Sequence, residues 1–161
     1  MAQIIVDTFA DIPTGEDMAE DMLLVFSIAG QSYAIDIRNV TEIIELLPIY
    51  PVPNMPACLK GVINLRGAVV PVIDVRLRFG LSPQDYTART CIIVVEHSGM
   101  SLGLIVDAVQ EMMTVPEQER MPSPVSPTEN PARYIRGMTS VGGQIQLLLD
   151  CEKLMDIVSC A

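Results

Sequence analysis

The stretch Lys60-Gly-Val-Ile-Asn-Leu-Arg-Gly-Ala-Val-Val-Pro-Val-Ile-Asp74 returns 76 positions later as Arg136-Gly-Met-Thr-Ser-Val-Gly-Gly-Gln-Ile-Gln-Leu-Leu-Leu-Asp150, with both glycines and the closing aspartate in register. Each copy is two short apolar runs around a tight turn, the pattern of a β-hairpin. A second offset, of 69, sets residues 26–44 over 95–113, so that Gly30 falls on Gly99 and Glu42 on Glu111. Residues 23–28 and 31–37 flank Ala29-Gly30 as another hairpin. The two offsets differ by seven residues, which a longer loop in the second copy supplies. Residues 23–79 and 92–155 therefore read as one unit used twice.

Each unit is hairpin, short segment, loop, hairpin. About five short strands per unit favour a small closed barrel, because closure removes the sheet edges that would otherwise pair with other chains. The expectation is a mainly β fold: two five-stranded barrels related by a pseudo-twofold axis, with a C-terminal helix. A duplicated αβ sandwich is the alternative, disfavoured because only residues 38–45 and the C-terminal stretch read as helical. The latter starts with Asp150 as N-cap and spaces Cys151, Leu154, Met155 and Val158 along one face.

Composition agrees. The chain has 161 residues, half of them hydrophobic, with only three Phe and four Tyr, and its prolines and glycines lie scattered among the apolar runs. That suits one domain and a strand-rich fold. The first 21 residues hold Asp7, Asp11, Glu16, Asp17, Glu20 and Asp21 and no Lys or Arg, so residues 1–21 read as a flexible acidic tail. Order is expected from Met22 to Val158, with 159–161 a second short tail. Residues 114–131, with Met121-Pro-Ser-Pro-Val-Ser-Pro127, read as a surface loop too broken for a regular element.

The net charge of -10 disfavours nucleic acid and anionic lipid as partners. The longest tempting uncharged stretch, residues 46–59, contains Pro48, Pro51, Pro53 and Pro56 and cannot span a bilayer as a helix. Without the basic start and apolar block of a signal peptide, the chain is expected in the cytoplasm, with Cys58, Cys91, Cys151 and Cys160 as thiols.

The sequence holds no recognisable catalytic constellation. His97 is the single histidine, beside Ser98-Gly99 at an expected exposed turn. The cysteines lack zinc-knuckle spacing, so no metal is expected. No phosphate-binding loop or dinucleotide fingerprint occurs, and Gly137, Gly142 and Gly143 read as hairpin glycines. Asp74 and Asp150 suit capping of the segments that follow them. No catalytic residue, cofactor or metal is assigned. The local feature that stands out is Lys60, Arg66, Arg76 and Arg78 against the single acid Asp74. Lys60 and Arg78 divide evenly between a solvated face and a function. Arg66 differs, because it sits at the tip of an apolar hairpin where a turn needs only small polar residues, and is placed to grip a carboxylate or carbonyls of a partner.

Three blocks carry a family resemblance: Val40-Thr-Glu-Ile-Ile44, Tyr50-Pro-Val-Pro53, and the run from Lys60 through Asn64-Leu-Arg-Gly67 to Phe79. With Gly103-Leu-Ile-Val-Asp-Ala-Val109, Tyr134-Ile-Arg-Gly-Met138 and Leu147-Leu-Leu-Asp-Cys-Glu-Lys-Leu154, they make residues 21–158 resemble the CheW family of chemotaxis coupling proteins. The resemblance implies two five-stranded SH3-like barrels around a shared core. It implies a non-catalytic adaptor joining methyl-accepting chemoreceptors to a CheA-type histidine kinase, recruited from the cytoplasm to receptor arrays without inserting in the membrane. It places receptor contact on Val40, Glu42, Ile43, Asn64, Leu65 and Arg66, and leaves the kinase contacts unassigned. Some relatives serve chemosensory systems that control pili or another output, and the acidic tail and proline-rich loop leave that alternative open.

Overall fold

The computed structural model describes residues 21–123 and 132–156. The expectations for the acidic tail before Asp21, for Val158 and for Cys160 fall outside the described residues. Eleven strands follow one another: β1 (Met22–Ile28), β2 (Gln31–Asp36), β3 (Val40–Glu45), β4 (Leu59–Leu65), β5 (Ala68–Asp74), β6 (Cys91–His97), β7 (Met100–Val106), β8 (Ala108–Thr114), β9 (Met121–Pro122), β10 (Ile135–Val141) and β11 (Gln144–Leu149). Two short helices, α1 (Val75–Arg78) and α2 (Cys151–Met155), follow β5 and β11. Each is N-capped by the aspartate before it: Asp74 accepts the Arg76 N–H, and Asp150 accepts the Lys153 N–H.

The strands form two sheets, ordered β8-β1-β2-β11-β10-β9 and β3-β6-β7-β5-β4. Applying the duplication to the second order turns it into the first five strands of the first, leaving β9 over, which is the pseudo-twofold relation expected from the repeat. The sequence units 23–79 and 92–155 are nevertheless interleaved in space. Sheet one takes β1 and β2 from the first unit and β8, β10 and β11 from the second. Sheet two reverses the loan.

Local geometry repeats with the topology. All four hairpins turn in two residues with positive φ at both, Ala29-Gly30, Arg66-Gly67, Ser98-Gly99 and Gly142-Gly143, the arrangement whose twist matches that of the strands. Residues 38–45, expected as helix, are instead a 3-10 turn over Ile37–Asn39 and then β3. The misleading signal has a physical source. A register shift between Val40 and Glu42 leaves Thr41 unpaired, so the buried residues Val40 and Ile43 stand three apart, as on a helix. The matching shift opposite Gln110 marks the second copy.

Barrel closure explains Gly61 and Gly137. After β3 the chain returns to the opposite edge of sheet two, where Tyr50 and Val62 exchange backbone hydrogen bonds of 2.8 and 2.9 Å. In sheet one β9 does the same against β10, pairing Met121 with Met138. The expected loop thus contains a sixth, two-residue strand, built from the segment that seemed too proline-broken for one. A β-carbon on Gly61 would lie 2.3 Å from the Tyr50 carbonyl oxygen, and one on Gly137 2.6 Å from that of Met121. Gly137 is therefore a close-approach glycine in a strand rather than a turn residue. Gly61→Ala is expected to destabilise by about 2 kcal/mol, since φ is +147° there as well. Chemical denaturation with an unchanged midpoint would show that the closure is not constrained at Gly61.

The main core lies between the sheets. Leu24, Phe26 and Ile28 of β1 face Ile93, Val95 and Leu104 of sheet two, while Leu23 and Val25 point the other way, into sheet one's own interior. Strands buried on both faces read as continuous apolar runs, which is why β1 shows no alternation. Phe26, Tyr33, Phe79 and Tyr134 form an aromatic line with successive ring centroids 6.3, 5.2 and 5.7 Å apart. Arg76 clips the sheets together through Asp107, donating Nε at 2.9 Å, while the same carboxylate accepts the Ala29 N–H of the first hairpin turn. Burial pushes the Asp107 pKa up, but these hydrogen bonds and the Arg76 charge outweigh it and hold the carboxyl below its usual range.

Candidate partner-binding site

Arg66 occupies the first turn position of the β4–β5 hairpin with φ 50°, left-handed backbone that favours glycine. Its counterpart in the second copy is Gly142, with φ 61°. Ala29 and Ser98 share this backbone at the matching position of their hairpins, so what sets Arg66 apart is its long charged side chain. Asn64 fixes the turn by accepting the Gly67 N–H at 2.9 Å. Leu65 is half-buried against sheet two's interior.

The guanidinium of Arg66 is 70% exposed and paired with Glu42, which β3 brings alongside. The Glu42 hydrogen bond and charge raise the Arg66 pKa above its usual value. The pair is an exposed cation with a carboxylate beside it, suited to exchange for a partner's carboxylate or carbonyls. Glu42, Asn64, Leu65 and Arg66 are thus brought together at one corner of sheet two. Val40 and Ile43 belong to the adjoining strand, but they are 8% and 3% exposed and packed in the main core. They hold β3 in place and have little surface of their own to offer.

Sequence reading missed the apolar face beside this corner. Val69 pairs with Asn64 across the hairpin and is 72% exposed, and Tyr50, over the barrel closure, is 59% exposed. The signal was present in Ala68-Val-Val-Pro-Val72, where strand alternation must turn every second valine outward.

Several polar groups are structural. Arg78, half assigned to a solvated face, is buried at 3% exposure and donates to the carbonyls of Lys153 and Asp156. Asp74 accepts from the Tyr86 hydroxyl at 3.0 Å. His97 is half-buried at the end of β6 and shares a polar depression with Asp36, Arg136, Asp150 and Cys151. Burial, then Asp150 and Asp36, push the Cys151 thiol up to about 11 against the opposing pull of Arg136, the reverse of what a nucleophilic cysteine requires. Burial likewise lifts Cys91 to about 11. Cys58, expected as a thiol, is disulfide-bonded. Among the described residues no group of three or more His, Cys, Asp or Glu is placed to hold a metal ion, and no helix is long and apolar enough to cross a membrane.

Residues 22–159 match the CheW-like domain. The chain belongs to the CheW family. It is 37% identical over 132 residues to a probable chemotaxis protein CheW of Rhizobium etli, covering 82% of this chain and 85% of that one. It is 32% identical to the chemotaxis protein CheW of Bacillus subtilis, with 91% of each covered. The crystal structure of the scaffolding protein TtCheW from Thermoanaerobacter tengcongensis superposes with a TM-score of 0.75 at 33% identity, covering 81% of this chain and 84% of that one. The mainly β fold expected from the internal repeat is thereby matched in a solved relative.

Proposed function

We propose that this chain is a non-catalytic adaptor that couples methyl-accepting chemoreceptors to a CheA-type histidine kinase, working in the cytoplasm at membrane-associated arrays. The observation that carries it is the Arg66–Glu42 corner: a charged side chain held in glycine's conformation at a hairpin tip, in a chain whose relatives are named chemotaxis and scaffolding proteins. Receptor contact is assigned to Glu42, Asn64, Leu65 and Arg66, with Val40 and Ile43 supporting the strand from inside. The thiols raised to about 11 and the aspartates engaged in capping favour a scaffold over an enzyme.

Removing an interfacial anchor costs about 2 kcal/mol, or about 30-fold in affinity. Arg66→Ala is expected to weaken co-sedimentation with receptor-containing membranes by that factor. Arg66→Gly should weaken it equally while relaxing the turn, with the melting temperature unchanged or slightly raised. Unchanged receptor affinity in both variants would reject the assignment.

A further inference from the structure

The duplication makes each barrel a control for the other. Inside sheet two's barrel the packed side chains are Ile63, Val70, Val72, Ile92, Val94 and Ile105. The two offsets carry these positions onto Thr139, Gln146, Leu148, Leu23, Val25 and Asp36 of sheet one. Three of the six have become polar, yet they are only 1% (Thr139), 2% (Gln146) and 5% (Asp36) exposed.

Asp36 is satisfied by Arg38, whose backbone N–H and guanidinium both donate to it. Of the other two, Gln146 is served by backbone carbonyls alone and Thr139 is not served at all. Thr139 and Gln146 oppose each other across β10 and β11, as Ile63 and Val70 do across β4 and β5. The Gln146 amide, oriented with its nitrogen toward the backbone, donates to the carbonyls of Thr139 and Gln144 at 3.3 and 3.2 Å. Thr139 Oγ1 is buried without a hydrogen-bond partner, and so is Nη2 of Arg120, whose Nε donates to Val115 at the same interior. A buried polar group lacking a partner regains one when the structure opens, so it favours opening. The seam differs as well: β11 meets β2 at two paired positions, whereas β5 meets β7 at three.

We propose that sheet one's barrel is the yielding half of the domain, its polar interior pair Thr139 and Gln146 letting β9, β10 and β11 open locally while sheet two stays closed. Such an element lets the β10–β11 hairpin, with Val141 and Ile145 exposed, reshape its outer face without global unfolding.

Amide hydrogen exchange on the full chain tests this, comparing positions 76 apart after correction for intrinsic rates. Protection in β10 and β11 is expected at least tenfold below that in β4 and β5. In Thr139→Ile/Gln146→Val, which restores the first copy's pair, the gap should shrink to about threefold or less. Thr139→Val alone should move it the same way should the double variant not fold, and Ile63→Thr should lower protection in sheet two. Equal protection in the native chain, or a gap unchanged in the variants, overturns the proposal.

Discussion

Phe79→Ala is expected to remove about 3–5 kcal/mol of stability, the range for truncating a fully buried phenylalanine. The ring is 2% exposed and stands between Tyr33 of β2 and Tyr134, so it links Tyr134 to the rest of the aromatic line. It also closes α1 as the C-cap residue, donating its N–H to the Val75 carbonyl at 2.9 Å. Truncation removes both of those ring pairs along with the buried area, which places the loss toward the upper end. In a chain of this size that corresponds to a melting temperature lower by about 10 °C. A fall of under 3 °C would mean that the line repacks, and that Phe79 does not join the sheets.

Arg78→Ala is expected to cost about 3 kcal/mol by a different route. The guanidinium holds the carbonyl of Lys153 at 3.0 Å and that of Asp156 at the end of α2, and lies 5.0 Å from the Tyr134 ring centroid. Burial pulls its pKa below the usual arginine value, only partly offset by Tyr134 and Asp156, so the charge is kept for the sake of those contacts. Without it two helix-end carbonyls each lose a charged donor, and Leu154 and Met155 lose the clamp that seats them in the core. Limited proteolysis should cut the variant within α2 at low protease while sheet two remains intact. Arg78→Lys should rescue only partly, because an ammonium lacks the planar guanidinium that lies over the Tyr134 ring. Native-like resistance in Arg78→Ala would show that α2 holds by its apolar face alone.

Much of the fold was legible because the chain says it twice. The four two-residue turns, the strand-end aspartates and the pseudo-twofold pattern all follow from two offsets. What the offsets cannot carry is which strand pairs with which, since interleaved and side-by-side barrels share one sequence pattern. The bulge at Thr41 imitated a helix because one extra residue converts a spacing of two into three. At the site, Arg66 was readable as a residue out of place in a turn. Its link to Glu42, 24 positions away across a barrel edge, was not. Nor was the burial of Val40, Ile43 and Arg78, which depends on what the other half of the chain lays over them.

The loan of strands between the sheets also sets a timetable for synthesis. Sheet two has its last strand once Val106 has been made, but the amino-terminal hairpin must wait for β11, which ends at Leu149. The domain's first hairpin is thus the last to be fully housed, and through that interval Leu23 and Val25, whose partner Leu148 lies on β11, need shelter from other chains.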